Sequence, residues 1–260
     1  MEKFKSNPYN SSNKLVSEND ILNIMKTLNI KDFKINNLSL YQISFIHKSY
    51  CHMTDYEEYE NIKNDLPLQE KSYETMEFLG DSILSSCISS YLYERFYKIY
   101  GENEGFLTKI RTRIVCGENL AKLSNELNFN KHLIISKHIE DNCNGRNNKN
   151  ILEDVFEAFI GAIYLDNNYE FVENIIIKII EELIDFTDII INDTNYKDQI
   201  LKYCQHNFKS YPTYSHVRKD EDIFYCNLSV NEITITGEGK TKKKAEQDAS
   251  KKTLQYFKVL

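Results

Sequence analysis

The chain has 260 residues, room for one large domain or two unequal ones. A hydrophobic content of 41% supports a real core and excludes a wholly disordered chain, while a formal net charge of −7 argues against a uniform nucleic-acid coat. The charge is uneven: residues 195–260 hold 12 Lys/Arg against 8 Asp/Glu, a net of +4, leaving 20 against 31 upstream, a net of −11.

Residues 1–16 are rich in Asn, Ser and Lys and predict a flexible tail. From Ser17 to about Asp188 the periodicity is helical, as in Ile21, Ile24, Met25 and Leu28, then Leu40, Ile43 and Ile46. The stretch 54–70 is acidic and tyrosine-rich with Pro67, which predicts an exposed, partly helical insertion. A helix is expected over 74–99, a break at Gly101–Gly105, and a further helix from near Phe106 carrying Lys109, Arg111 and Arg113. The polar run 141–150 leads into a second acidic helix. Phe171–Ile191 is the most apolar stretch, but Glu173, Lys178, Glu181, Glu182, Asp185 and Asp188 argue against a membrane span and for an amphipathic helix. Asn192–Asn195 reads as the linker between domains.

The pattern then changes. A helix is expected over 196–208, strands over 213–217, 223–230 and 232–237 with a turn near Asn231, and a closing helix over 241–257. That order, α-β-β-β-α, makes a small sheet with two helices on one face. The expected plan is thus multidomain: a flexible tail over 1–16, an all-α domain over 17–191 with an insertion at 54–70, and an α+β domain over 195–260.

The six cysteines contain no Cys-x-x-Cys pair, which argues against a zinc site. With no secretory signal, free thiols in a reducing compartment are expected: intracellular, cytoplasmic or nuclear, and not secreted. The six histidines form no close cluster, so His47 and His52 are expected to be packing or surface residues rather than general bases.

Four carboxylates carry the chemistry. Glu77 and Asp81 are spaced i to i+4, Asp154 and Glu157 i to i+3, so each pair shares one face of its helix. Both pairs sit in apolar runs, where burying an unpaired charge costs several kcal/mol. Either stripe alone also fits a solvated face. Two of them in one domain, each beside an interior glycine (Gly80, Gly161), favour convergence, and oxygen-only ligands then suit Mg²⁺, with Mn²⁺ as a substitute. Gly80 costs roughly 1 kcal/mol mid-helix relative to Ala, which a close backbone approach would explain.

Glu-Thr-Met-Glu-Phe-Leu-Gly-Asp-Ser-Ile-Leu (74–84) closely resembles the signature motif of the ribonuclease III family. Ile-Leu-Glu-Asp-Val-Phe-Glu-Ala-Phe-Ile-Gly-Ala-Ile-Tyr-Leu-Asp (151–166) resembles that family's second acidic segment, and His47–Tyr50 and Asn103–Gly105 with Arg111 fit its intervening pattern. The resemblance spans about residues 20–258. It implies that Glu77, Asp81, Asp154 and Glu157 bind the metal and are catalytic, that Glu74 and Glu104 are supporting acidic residues, and that Phe78 contacts the partner subunit of a homodimer. It also implies hydrolysis of double-stranded RNA with 5′-phosphate and 3′-hydroxyl ends and short 3′ overhangs, without a membrane or a small-molecule substrate. The rival class of Mg²⁺-diphosphate enzymes typically shows Asp-Asp-x-x-Asp runs, absent here. A protein that only sequesters duplex RNA is the other alternative.

In the tail, Gly-Glu-Gly-Lys-Thr-Lys-Lys-Lys-Ala-Glu-Gln (237–247) places Lys242, Lys243 and Lys244 at a helix start, with Lys240 and Thr241 just before it. Cations there oppose the helix dipole, and a phosphate partner reverses that penalty; a solvated lysine run is the plainer alternative. Within the α-β-β-β-α order this resembles the double-stranded-RNA-binding domain, whose lysines straddle the A-form major groove. Two departures stand out. Leu201-Lys202 occupies the positions where the family usually has Gln-Glu, and the short acidic run 218–222 has no histidine where a Gly-Pro-x-His-type loop is usual. Weak, salt-sensitive binding by this domain alone is therefore expected.

Overall fold

A computed structural model describes residues 7–30, 33–56, 59–61, 65–191, 195–218 and 223–260. The chain divides into two units, Met1–Phe186 and Thr187–Leu260.

The first unit is helical: α1 (Glu18–Thr27), α2 (Leu38–Ile43), α3 (Glu74–Leu92), α4 (Lys98–Tyr100), α5 (Glu104–Ile114), α6 (Gly117–Glu126), α7 (Lys137–Asn142), α8 (Lys149–Asp166) and α9 (Tyr169–Leu183). α10 (Phe186–Ile191) begins at the unit's last residue. α8 is the axis of the unit. Ile151, Leu152, Val155, Phe156, Ala158, Phe159, Ile160, Gly161, Ala162 and Ile163 are all buried, so the helix is apolar nearly all round. Phe159 meets Tyr41, Phe45 and Phe129 at ring-centroid distances of 5.8, 5.9 and 4.8 Å. At its far end the Asp166 carboxylate accepts from the Asn36 and Asn37 N–H groups and the Tyr41 hydroxyl (3.0, 2.7 and 2.9 Å), which fixes the start of α2.

Several expectations need correction. Residues 7–16 are not a loose tail: Asn10 and Asn13 are buried and both side chains donate to the Ile135 carbonyl, at 3.1 and 2.9 Å. Arg146 locks this arm, donating to Asn13 Oδ1 (3.1 Å) and the Leu133 carbonyl (2.6 Å) while pairing with Glu140 (3.1 Å). Residues 1–6 lie outside the described residues. The 54–70 stretch is tied down at its end. Leu68 is buried, the Leu66 carbonyl accepts from the Tyr50 hydroxyl at 2.6 Å, and Gln69 bridges to Cys51. Residues 57–58 and 62–64 of it lie outside the described residues.

The single helix expected over 74–99 widens into a π turn at Tyr93–Tyr97. That turn sets the Arg95 guanidinium over the rings of Tyr91, Phe96 and Phe186 at 5.4–5.9 Å, beside Glu181. The next helix starts at Glu104 rather than Phe106, because the Asn103 side chain accepts from the Phe106 N–H at 3.0 Å and caps it. The helix expected through Ile191 stops at Leu183, since Ile184 turns extended (φ −109°, ψ 120°) and Phe186 joins the aromatic cluster.

In the second unit, α11 (Tyr196–Phe208) precedes β1 (Thr213–Arg218), β2 (Phe224–Val230) and β3 (Ile233–Gly239), and α12 (Lys242–Tyr256) closes it. The sheet is antiparallel in the order β1-β2-β3. Asn231 takes the left-handed conformation (φ 53°) that the tight turn between Val230 and Ile233 requires. Alternate residues Cys226, Leu228 and Val230 of β2 pack with Ile200, Cys204, Ala245, Ala249 and Leu254 from the two helices. Gly237 is obligatory, because a Cβ there would lie 2.1 Å from the Ala249 nitrogen. The expected linker residues 192–194 and the acidic loop residues 219–222 lie outside the described residues. All six cysteines are free thiols, and no helix among the described residues is long and apolar enough to cross a membrane.

Candidate active site

α3 and α8 cross with their main chains in contact. A Cβ on Gly80 would lie 1.8 Å from the Glu157 carbonyl oxygen, and one on Gly161 would lie 2.4 Å from that of Met76. Neither position tolerates a side chain, so the cost of Gly80 mid-helix is offset by helix–helix approach. The crossing brings Glu77 and Asp81 on α3 to the same seam as Asp154 and Glu157 on α8, with electrostatic coupling between the two pairs.

The consequence is a set of carboxyl groups that resist ionising. Burial first, then Asp81, Glu153, Glu77 and Asp154, push Glu157 up to about 8. Burial, then Asp154 and Glu74, push Glu77 up to about 7, against the lowering effect of Lys48. Asp154 is raised mainly by burial, even though Tyr73 donates a hydrogen bond to it and Lys48 lies within electrostatic range. Tyr73, Glu74 and Lys48 surround the seam, and the Lys48 ammonium is taken up by Glu74 at 2.8 Å.

Glu153 belongs to the same field and was missed in the sequence. Its carboxyl is raised by burial, Asp154 and Asp81. It stands i to i+4 from Glu157, so helical spacing puts the two carboxyl groups on one face. That spacing was the available signal. Tyr73 was also missed. Its hydroxyl donates to Asp154 Oδ2 at 3.0 Å across 81 residues of chain, a contact with no local signature.

Glu104 opens α5 and accepts from the Thr108 hydroxyl at 2.9 Å. Phe78 is 78% exposed on α3, an unusual place for a large apolar side chain. His47 is half-buried against Tyr73, with ring centroids 5.8 Å apart, and its partial burial lowers it to about 4. It is neutral near pH 7, which suits packing.

Among the described residues, no three of the carboxylates stand close enough together to enclose an ion as they are. The donor set still fits a hard divalent cation: every donor is oxygen, and burial and mutual repulsion raise Glu77, Asp154 and Glu157 together.

In the second unit, Thr241 caps α12 by accepting from the Lys244 N–H at 3.2 Å. Lys242, Lys243 and Lys244 are exposed in its first turn, with Lys240 just ahead. Among the described residues these four have no ion-pair partner, so the positive helix end carries uncompensated cations. Lys202 is paired with Asp198 at 2.7 Å along α11.

A helical domain with an acidic seam, joined to an α-β-β-β-α domain with a cationic helix start, has the plan of a double-strand-directed ribonuclease. Residues 37–183 match the family model for ribonuclease-III-like domains, and residues 196–257 match the double-stranded RNA binding motif. The chain belongs to the ribonuclease III family. It is 30% identical to ribonuclease 3 of Staphylococcus haemolyticus, over 90% of this chain and 91% of that protein. It is 33% identical to ribonuclease 3 of Lactobacillus acidophilus, over 89% and 96% respectively. The probable ribonuclease 3 of Acanthamoeba polyphaga mimivirus is 34% identical over 96% of this chain, which spans only 47% of that protein. Among solved structures, the nuclease domain of ribonuclease III from Campylobacter jejuni matches with a TM-score of 0.50 at 27% identity, covering 65% of this chain and 100% of that one.

Proposed function

We propose that this protein is a divalent-metal-dependent endoribonuclease that hydrolyses both strands of duplex RNA, leaving 5′-phosphates, 3′-hydroxyls and short 3′ overhangs. The observation that carries the reading is the seam of carboxyl groups raised together where α3 and α8 touch. Glu77, Asp81, Asp154 and Glu157 would hold Mg²⁺, or Mn²⁺ in its place. When bound, the ion supplies charge neutralisation and Lewis acidity toward the phosphate and the attacking water.

The chain's own residues do the rest. The packed helices fix the acids on a rigid seam, which lowers the cost of organising them for reaction. Glu74 keeps Lys48 beside the seam. His47, neutral and half-buried, supports Tyr73 rather than moving protons. The exposed lysines of α12 would contact backbone phosphates of A-form RNA. The domain plan supports this division of labour, with 17–191 as the endonuclease and 195–260 as the duplex-binding part.

Each subunit would cut one strand, so a homodimer is proposed, with Phe78 buried in the interface. Phe78→Asp should then sediment as a monomer; a dimer would refute that contact. The function itself is tested by incubating a long RNA duplex with Mg²⁺ and analysing product ends. Duplex left uncut would favour a role in sequestering RNA.

A further inference from the structure

We propose that Tyr73 is a positioning residue that orients the Asp154 carboxylate for metal binding, an inference that rests on reading Asp154 as a ligand. Its hydroxyl donates to Asp154 Oδ2 at 3.0 Å. The neutral donor occupies a site on one carboxylate oxygen and leaves the other to face an ion. Tyr73 immediately precedes α3, which carries Glu77 one turn further on, whereas Asp154 lies on α8. The hydrogen bond therefore ties ligands from two helices to a common geometry.

The ring is itself held from several sides. It is 1% exposed and packs on His47. The Tyr73 N–H donates to the Ile46 carbonyl at 2.9 Å. His47 Nδ1 lies 2.8 Å from Ser49 Oγ, which accepts from the Ser136 N–H at 3.1 Å. A chain of contacts thus runs from Ser136 through Ser49 and His47 to Tyr73 and Asp154. Two effects of the hydroxyl oppose each other. Donation makes the carboxylate a slightly weaker electron donor, while fixing its rotamer removes the cost of ordering it when an ion arrives. Losing such an outer partner typically weakens metal affinity by about 10–100-fold, so orientation outweighs basicity.

The test is Mn²⁺ binding to the full-length protein without RNA, read by electron paramagnetic resonance of the free ion. Wild type, Tyr73→Phe, Asp154→Asn and the double variant are compared, with circular dichroism and thermal melting to verify folding. Tyr73→Phe should weaken Mn²⁺ binding by about tenfold or more. In the Asp154→Asn background it should add nothing. In cleavage assays the Mg²⁺ midpoint should rise while the rate at saturating Mg²⁺ recovers, which a merely structural loss would not produce. Wild-type Mn²⁺ affinity in Tyr73→Phe, or an equal loss in the Asp154→Asn background, overturns the inference. Unchanged Mn²⁺ binding in Asp154→Asn overturns the metal-ligand reading beneath it.

Discussion

Glu157→Gln should stabilise the metal-free protein while abolishing cleavage. Burial and neighbouring carboxylates raise Glu157 from 4.5 to about 8. At about 1.36 kcal/mol per pH unit, ionising it in the folded chain costs at most about 5 kcal/mol more than in the unfolded chain. Glu157 is only partly buried and is coupled to its neighbours, so solvent screening brings the figure to roughly 1–2 kcal/mol. The sign follows from linkage. Below about pH 4.5 both states hold the proton and nothing is lost. As pH rises toward 8 the unfolded chain releases the proton while the folded chain retains it or ionises at a cost, so stability falls. A neutral Gln of the same shape removes that loss. In EDTA at pH 8.5, Glu157→Gln should melt about 2–8 °C above wild type, at roughly 2–4 °C per kcal/mol. The gap should vanish near pH 4.5 and narrow when Mg²⁺ is added. A variant melting at or below wild type at pH 8.5 in EDTA would refute the idea of repelling carboxylates at the seam.

Gly80→Ala gains about 1 kcal/mol of helix propensity but drives a methyl into the Glu157 carbonyl, 1.8 Å away, at a cost of roughly 1–3 kcal/mol or more. Its urea midpoint should fall; a higher midpoint would contradict the close crossing. Replacing Lys242, Lys243 and Lys244 with Ala should weaken duplex-RNA binding and reduce the slope of log affinity against log salt by about 2–3, while leaving the melting temperature near wild type. Arg146→Met breaks a pair whose side chains are 18% and 22% exposed and removes one of the donors to Asn13 Oδ1. It should cost roughly 2–4 kcal/mol and open residues 7–16 to limited proteolysis, with resistance counting against the locked arm.

What could be read from the sequence depended on whether its cause was local. The acids of the seam stand at helical spacing within one helix each, and Gly80 betrays the crossing because a mid-helix glycine needs a reason. The second unit follows from alternation in β2 and from Thr241 and its lysines, with strand ends off by one or two residues. Other features arise only in three dimensions. The Asn-rich arm looks like solvent-loving chain until its amides meet the Ile135 carbonyl. The π turn leaves the apolar period nearly intact, and its logic lies in where Arg95 must go. Tyr73 finds Asp154 across the fold, at a separation in sequence that no local rule spans.

The glycine contact between α3 and α8 also bears on which ion the seam would accept. With main chain against main chain, the gap between acids on opposite helices is set by the backbone, which yields less readily than side-chain rotamers. Mg²⁺ draws oxygens to about 2.0–2.1 Å and Ca²⁺ to about 2.3–2.6 Å. Once the side chains close on an ion, a spacing set by the backbone would favour one ionic radius over another. Discrimination between two ions of equal charge would then rest on two residues that carry no ligand atom, Gly80 and Gly161.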